Sequence, residues 1–265
     1  MKTITRRQDP IVDAFRELAA EPDATGRRLL LDGVHLVREA LNAGLEFEMA
    51  AVSSWMFEGT GEERALADAL VAADIETVAV SAQVLEAISP VKTPAGVVAV
   101  VRKPAAVPAD ICQRPDAFLL VIVDVQDPGN VGSLIRAAEA GGVTGVIVTA
   151  GSANPFAWKA LRGSMGSTLR LPILYGVTPA AAMTCLRTFH AKAVASVARG
   201  GSDPDAIDWS GKVALVLGGE GAGLSEKIVE ASQQRVTIPM AAPVESMNVA
   251  TAGAVLIYAA RRQRR

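Results

Sequence analysis

The sequence predicts an α/β protein with two domains, the second of which is built on a parallel sheet. Strand-length apolar runs alternate with segments of helical periodicity along most of the 265 residues. The run FLLVIVDV at 118–125 is apolar almost throughout, as is typical of strands buried on both faces of a parallel sheet. Between the two alternating regions, residues 104–117 are proline-rich and lack periodicity, which predicts a linker.

Residues 1–103 are predicted to form the smaller α/β domain. Its first helix has Ile11, Phe15 and Leu18 on one face, and Gly44 ends the helix that follows the first strand. The predicted strands are 27–33, 47–53, 75–81 and 95–103, and the predicted helices are 10–21, 34–44, 62–73 and 82–89.

Residues 118–265 are predicted to form the second domain. The predicted strands are 118–125, 145–150, 171–176, 192–198, 213–219 and 235–239. The predicted helices are one that opens near Val131, then 155–163, 179–190, 225–232 and a C-terminal helix. Because ligands of parallel sheets bind beyond the carboxyl ends of the strands, the loops at those ends are the candidates for a site.

The composition argues against several classes of protein. No apolar run reaches 18 residues without a charge or a breaker, so no membrane span is predicted. The charged N-terminus lacks the apolar core of a signal peptide, which leads us to expect a cytoplasmic protein. Cys112 and Cys185 have no CxxC spacing and are expected to be free thiols. The two histidines, His35 and His190, belong to no metal motif, so no bound metal is expected.

The formal net charge of −2 conceals an uneven distribution of charge. Residues 1–110 contain 11 basic and 17 acidic side chains, whereas residues 111–265 contain 15 basic and 11 acidic ones. The basic second half and its RRQRR end are compatible with a polyanionic partner, and equally with a solvated tail.

The first candidate loop lies within DVQDPGNVGSLIRAAEAGG at 124–142. Gly129 and Gly132 allow close approach of the backbone, and free amides at the start of a helix favour anions. An ordinary turn that joins a strand to a helix would use the same residue types. Arg136 is either a surface residue or a charge directed at the strand ends.

The second candidate loop is LGGEGAGLS at 217–225, in which Glu220 lies among four glycines. Such a loop after a buried strand lets backbone groups face a ligand directly. The alternative is a flexible loop in which Ser225 caps the next helix.

The third candidate is ESMNVATAG at 245–253, which precedes the apolar run of the last helix. Pro239 and Pro243 stiffen the chain before it. Ser246 is expected to cap the helix by accepting a hydrogen bond from a backbone N–H.

Together the three loops, in this order and spacing, resemble the three motifs of the SpoU/TrmH class of RNA ribose 2′-O-methyltransferases in the SPOUT superfamily. RGSMGSTLRLPI at 162–173 resembles the family's stretch between the first two motifs. DGVHLVREAL at 32–41 and KTPAGVVAV at 92–100 resemble the L30e-like substrate-binding domain that is common in the family. The resemblance therefore covers nearly the whole chain.

The resemblance implies a SPOUT domain with a deep trefoil knot that binds S-adenosylmethionine (AdoMet) in a bent conformation through backbone groups. It implies a homodimer and methyl transfer to a ribose 2′-hydroxyl without a metal, most plausibly in ribosomal RNA. The residues that it places at the cofactor are Leu217, Gly218, Gly219, Ile238, Pro239 and Met247.

In the family, the arginine that corresponds to Arg136 is proposed to activate the ribose hydroxyl. Because arginine is fully protonated, we expect its guanidinium to bind the adjacent phosphate and stabilise a developing alkoxide, either in its own subunit or across the subunit interface. Asn130, Ser246 and Asn248 would orient the hydroxyl or Arg136, and Glu220 would orient groups of the loops.

The first domain is expected to hold structured RNA through phosphate contacts, which set affinity but not sequence choice. The candidate contacts are Lys2, Arg6, Arg7, Arg27, Arg28 and Arg38. Two alternatives stay open, namely the same chemistry on transfer RNA and an RNA-binding module that has kept the fold without catalysis. A nicotinamide-dependent enzyme is disfavoured, because no GxGxxG follows a strand.

Overall fold

The computed structural model describes residues 2–20 and 26–264 and divides into two compact units, 1–104 and 105–265. Two sequence predictions touch positions outside the described residues. They concern Glu21, at the end of the first predicted helix, and Arg265, at the end of the basic C-terminus.

The N-terminal unit contains a mixed five-stranded sheet in the order β1-β4-β3-β5-β2, with helices packed on it. β1, β4 and β3 pair in parallel, and β5 is antiparallel to both of its neighbours. The strands are β1 (Lys2–Ile4), β2 (Arg28–Asp32), β3 (Phe47–Ser53), β4 (Thr77–Val80) and β5 (Val97–Arg102). The helices are α1 (Pro10–Ala20), α2 (Val34–Asn42), α3 (Ser54–Glu58), α4 (Glu62–Ala72) and α5 (Ala82–Ile88).

Two short elements of this unit were not predicted. β1 has one buried side chain, that of Ile4, and its polar neighbours hide the apolar pattern of a strand. α3 spans five residues, too few to show helical periodicity, and buries Met56.

The C-terminal unit contains a six-stranded sheet in the order β11-β9-β10-β6-β7-β8, and every pairing is parallel. This confirms the predicted parallel sheet. The strands are β6 (Phe118–Val123), β7 (Gly145–Thr149), β8 (Ile173–Val177), β9 (Lys192–Ser196), β10 (Val213–Gly218) and β11 (Gln234–Val236). All six residues of β6 are buried, as expected for a central strand covered on both faces.

Helices pack on this sheet. They are α6 (Pro108–Cys112), α7 (Pro128–Gly141), α8 (Trp158–Ser164), α9 (Ser167–Arg170), α10 (Pro179–Thr188), α11 (Glu226–Ala231) and α12 (Val249–Gln263). α6 lies in the segment that was predicted to lack regular structure. Ile111 and Cys112 of this helix are fully buried, so part of that segment belongs to the core.

The start of α7 differs from the prediction and matters for the site. The helix begins at Pro128, three residues before the predicted opening near Val131. Asp127 caps it, since its Oδ1 accepts a hydrogen bond from the backbone N–H of Asn130 at 2.8 Å, and Pro128 has no N–H to satisfy. Asn130 therefore lies in the first helical turn and not in a free turn.

None of the helices formed by residues 2–20 and 26–264 combines the length and the apolar character that a membrane crossing requires.

Candidate active site

The first two candidate loops lie side by side because β6 and β10 are neighbouring parallel strands. Leu217 pairs with Ile122, and Gly218 pairs with Val123, so both strands end at the same level. The chain after β6 then leads to the start of α7, while the chain after β10 forms the glycine-rich loop.

Gly218 and Gly219 allow that loop to fold against backbone. A Cβ atom on Gly219 would lie 2.0 Å from the Asp124 carbonyl oxygen, and one on Gly218 would lie 2.4 Å from the carbonyl carbon of Gly223. The loop closes with a hydrogen bond from the Gly223 N–H to the Gly219 carbonyl at 3.2 Å. These glycines are thus required by close packing of backbone against backbone.

Three polar side chains, one from each loop, form a hydrogen-bonded network. The Asn130 side-chain amide donates to the carboxylate of Glu220. Asn248 Nδ2 donates to Asn130 Oδ1 at 3.0 Å and lies 3.4 Å from Glu220 Oε1. We call this set of Asn130, Glu220 and Asn248 the amide–carboxylate network.

Asn248 has a second role as the N-cap of α12. Its Oδ1 accepts hydrogen bonds from the N–H groups of Ala250 at 2.9 Å and Thr251 at 3.2 Å. The expectation that Ser246 caps this helix was wrong, because α12 begins at Val249 and the cap is the residue directly before it. With Oδ1 used by the cap, the Asn248 amide nitrogen is left to face the network.

A cavity of about 280 Å³ lies beside the network. Its wall includes the predicted site residues Gly218, Gly219, Glu220, Ile238, Ser246 and Met247. Two residues predicted at the cofactor do not line it: Leu217 is buried within β10, and Pro239 is exposed.

Sequence reasoning missed part of the wall, namely Ser196, Val197 and Ala198 at the end of β9, together with Met240 and Glu245. β9 is the neighbour of β10 in the sheet, so its carboxyl end belongs to the same edge. The position of these residues at the same sheet edge could have revealed them, but it follows only from the strand order, which the sequence alone does not give. Glu245, which the sequence left without a role, forms an ion pair with Arg199 at 2.8 Å.

The structure does not bring Arg136 to this cavity within one chain. Arg136 lies on α7 on the exposed face, and within residues 2–20 and 26–264 no hydrogen bond or ion pair holds its side chain. The α7 helix packs on α12, where Val255 and Tyr258 are 42% and 49% exposed. The helix that carries Arg136 therefore packs on a helix with exposed apolar side chains.

The predicted RNA contacts of the N-terminal unit differ in their surroundings. Lys2 pairs with Asp9 at 3.0 Å, Arg7 lies 3.9 Å from Glu86, and Arg38 pairs with Glu62. Arg6 and Arg27 are exposed, and Arg28 is half-buried. Several of these cations are thus partly neutralised by carboxylates.

Across residues 2–20 and 26–264, no group of three or more His, Cys, Asp or Glu side chains is arranged to hold a metal ion.

Family comparisons match both units. The model of the SpoU rRNA Methylase family matches residues 117–258, and that of the MRM3-like substrate binding domain matches residues 24–99. The chain belongs to the SpoU rRNA methylase family. Its SpoU part contains the amide–carboxylate network and the cavity wall.

Individual SpoU relatives resemble the chain over nearly its whole length. An uncharacterized tRNA/rRNA methyltransferase of Synechocystis sp. is 35% identical over 98% of this chain and 94% of the relative. The 23S rRNA guanosine 2′-O-methyltransferase RlmP of Bacillus subtilis is 29% identical over 97% of this chain and 98% of its own. The SpoU methyltransferase AviRb of Streptomyces viridochromogenes, solved in complex with the cofactor AdoMet, superposes with a TM-score of 0.87 at 27% identity, over 97% of this chain and 98% of AviRb.

Proposed function

We propose that this protein transfers a methyl group from AdoMet to a ribose 2′-hydroxyl of ribosomal RNA. The observation that carries the proposal is the amide–carboxylate network, which joins all three loops beside a cavity with glycine backbone in its wall. RlmP, which matches this chain over nearly the full length of both proteins and is named a 23S rRNA guanosine 2′-O-methyltransferase, supports ribosomal RNA as the substrate.

The chemistry of the cavity wall fits AdoMet. Ile238, Met240 and Met247 provide apolar surface for an adenine ring, and the backbone of Gly218 and Gly219 offers N–H and C=O groups for its edge. The residues of the described chain that line the cavity include the acidic Glu220 and Glu245 and no Lys or Arg. Because Glu245 is paired with Arg199, the charge that favours a sulfonium comes from Glu220.

When bound, AdoMet supplies the methyl group. The protein then has to position the ribose and stabilise the negative charge that develops as the 2′-hydroxyl loses its proton. The Asn130 and Asn248 side chains are fixed by Glu220 and by the helix cap, which suits them to orient the hydroxyl without further loss of freedom. Ser246 lies in the cavity wall, and its hydroxyl would donate a hydrogen bond on the side of the ribose.

Arg136 is proposed to act on the ribose of the partner subunit within a homodimer. Its side chain is exposed and does not line the cavity of its own chain, and its helix α7 packs on α12, where Val255 and Tyr258 are exposed. An exposed apolar surface of this kind is typical of an interface. A guanidinium delivered from the partner would bind the adjacent phosphate and stabilise the alkoxide.

A trefoil knot is proposed for the C-terminal unit. The 3₁₀ turn Pro204–Ala206 and the segment after it lie against α12, where the N–H of Trp209 donates to Gln263 Oε1 at 3.4 Å. α12 also packs on α7. A C-terminal helix held between an earlier loop and an earlier helix is the arrangement that threading through a loop would produce. An experimental structure traced through residues 197–263 tests the knot.

The remaining parts of the proposal concern the N-terminal unit and the cell. We propose an L30e-like fold for residues 1–103, with 104–117 as the connection and 118–265 as the catalytic domain. The RNA phosphates would be contacted by five arginines of this unit, namely Arg6, Arg7, Arg27, Arg28 and Arg38. Their replacement by Gln is expected to weaken RNA binding and to reduce its salt dependence. A ribosomal RNA substrate implies a cytoplasmic protein.

Two measurements test the proposed function. Isothermal titration with AdoMet should detect binding, and no binding at millimolar AdoMet would refute the proposal. Mapping of ribose methylation in RNA from cells with and without the gene should reveal one site lost in ribosomal RNA. Loss of a site in transfer RNA instead would overturn the assignment of the substrate.

A further inference from the structure

A second cavity, of about 490 Å³, lies at the amino-terminal edge of the parallel sheet, opposite the AdoMet cavity. Its wall comes from residues directly before β6, β7 and β10 and from the last turns of α7 and α12. Four charged side chains line it, those of Arg114, Asp116, Arg261 and Arg264, and we call it the arginine cavity. Neither the three motifs nor the proposed methyl transfer uses these residues.

The side chains of the arginine cavity have an excess of positive charge. Three guanidinium groups and one carboxylate line it, which gives a formal side-chain charge of +2. Arg114 forms the single side-chain ion pair among the residues that line this cavity, with Asp116 at 3.2 Å. The cavity therefore has more cations than its own carboxylate can balance.

Arg264 is the most firmly placed of the three arginines. Its guanidinium donates to the carbonyl oxygens of Asp116, Trp209 and Gly211, and it lies 5.0 Å from the ring centroid of Phe118. These acceptors are neutral, so they fix the guanidinium without cancelling its charge. Burial lowers the pKa of Arg264 below its ordinary value, as expected for a cation that has lost part of its water.

A simpler explanation is that these arginines cap helices. Arg261 does donate to the carbonyl of Ala140 in the last turn of α7, which is a usual way to satisfy a helix C-terminus. Capping accounts for that one bond. It does not account for Arg114, whose partner is the Asp116 carboxylate, or for an open cavity that three arginines line.

We propose that the arginine cavity binds a backbone phosphate of the RNA substrate, at a distance from the methyl-transfer site. The planar guanidinium fork matches the oxygen atoms of a phosphate, and such contacts position an RNA without reading its sequence. The binding of a phosphate depends on the cavity alone, whereas RNA as the source of that phosphate rests on the proposed function.

Two variants with opposite expected effects test the site. Arg114→Gln with Arg261→Gln removes two of the cations and leaves the buried contacts of Arg264 intact. Asp116→Asn removes the carboxylate of the cavity, frees Arg114 and retains the Asp116 main-chain carbonyl that Arg264 uses. A gain of affinity in Asp116→Asn cannot result from damaged folding.

The probes are inorganic phosphate and a uridine 12-mer, titrated into the full-length protein at several salt concentrations. We expect the double variant to bind the 12-mer about tenfold more weakly at low salt, with a salt slope reduced by about 0.7 for the loss of one phosphate contact to a single strand. We expect Asp116→Asn to bind it about fivefold more tightly, since one unit charge at 4 Å in water corresponds to about 1 kcal/mol. Phosphate affinity should shift in the same directions.

The outcomes show whether the cavity binds phosphate and whether RNA is the source of that phosphate. If phosphate binding responds to the variants but 12-mer binding does not, the cavity is a site for a free anion and the RNA assignment is wrong. If neither probe responds, there is no phosphate site. AdoMet titration of the same variants, which should match the wild type, separates failure of this site from failure of the proposed function.

Discussion

Replacing Asn248 separates its role in the amide–carboxylate network from its role as a helix cap. Asn248→Ser keeps a short side-chain oxygen that can cap α12, but loses the amide nitrogen that donates to Asn130 at 3.0 Å. Asn248→Ala loses both the cap and the donor. Both variants therefore lose the same hydrogen bond of the network, but only Asn248→Ala also loses the cap.

The magnitudes follow from the hydrogen bonds involved. Loss of an N-cap costs about 1 kcal/mol of stability, which lowers the Tm of a protein of this size by about 2–4 °C. Asn248→Ala should show that loss, whereas Asn248→Ser should stay close to the wild type. Both should slow methyl transfer about 100-fold, because a misplaced orienting group can cost that much.

The assay measures Tm by differential scanning calorimetry and methyl transfer under single-turnover conditions. AdoMet affinity serves as the control, since Asn248 does not line the cavity. If Asn248→Ser transferred methyl groups as fast as the wild type, the network would have no catalytic role. The reasoning would also be refuted if the loss of rate in the two variants were proportional to their loss of Tm.

The other predictions concern the dimer, the glycine-rich loop and a buried thiol. Arg136→Ala and Asn248→Ala should each retain only a small fraction of the wild-type activity. If Arg136 acts across the interface, mixing them should restore about a quarter of the wild-type activity in randomly paired two-fold dimers; no recovery would place Arg136 in its own subunit. Gly219→Ala should cost about 1–3 kcal/mol in denaturant unfolding and weaken AdoMet binding, because its Cβ would press on backbone. Gly163→Ala, where the nearest contact is 3.4 Å, is the matched control and should not destabilise; equal losses in both would contradict the packing argument. Burial raises the pKa of Cys112 to about 12, so the folded state holds this proton more tightly than the unfolded state does. Stability should then fall as the pH rises from about 9 towards 12, and Cys112→Ala should reduce that slope.

Much of the fold could be predicted because its signals are local. The alternation of apolar strands and helical periodicity along 118–265 predicted a parallel sheet, and that sheet is present. The elements that were missed are short. α6 is five residues long and lies between prolines, so its buried Ile111 and Cys112 have no periodic neighbours to reveal them.

The site could be predicted only in part, since it depends on which strands are neighbours. The resemblance of the three loops to the SpoU/TrmH motifs indicated Asn130, Glu220 and Asn248, which the structure joins by hydrogen bonds. The end of β9 was missed because its residues have no distinctive chemistry, and strand order alone brings them to the cavity. The helix cap was assigned to Ser246 because boundaries of helices are poorly marked when several capping residue types adjoin.

The central claim is methyl transfer to a ribose hydroxyl, and one measurement tests it most directly. The purified protein is incubated with methyl-labelled AdoMet and ribosomal RNA from cells that lack the gene, and the RNA is then hydrolysed in alkali. Because alkaline cleavage requires a free 2′-hydroxyl, ribose methylation leaves an uncut dinucleotide, and the account predicts that the label is found there. Label in mononucleotides would indicate methylation of a base, and no transfer by a protein that binds AdoMet would contradict the account outright.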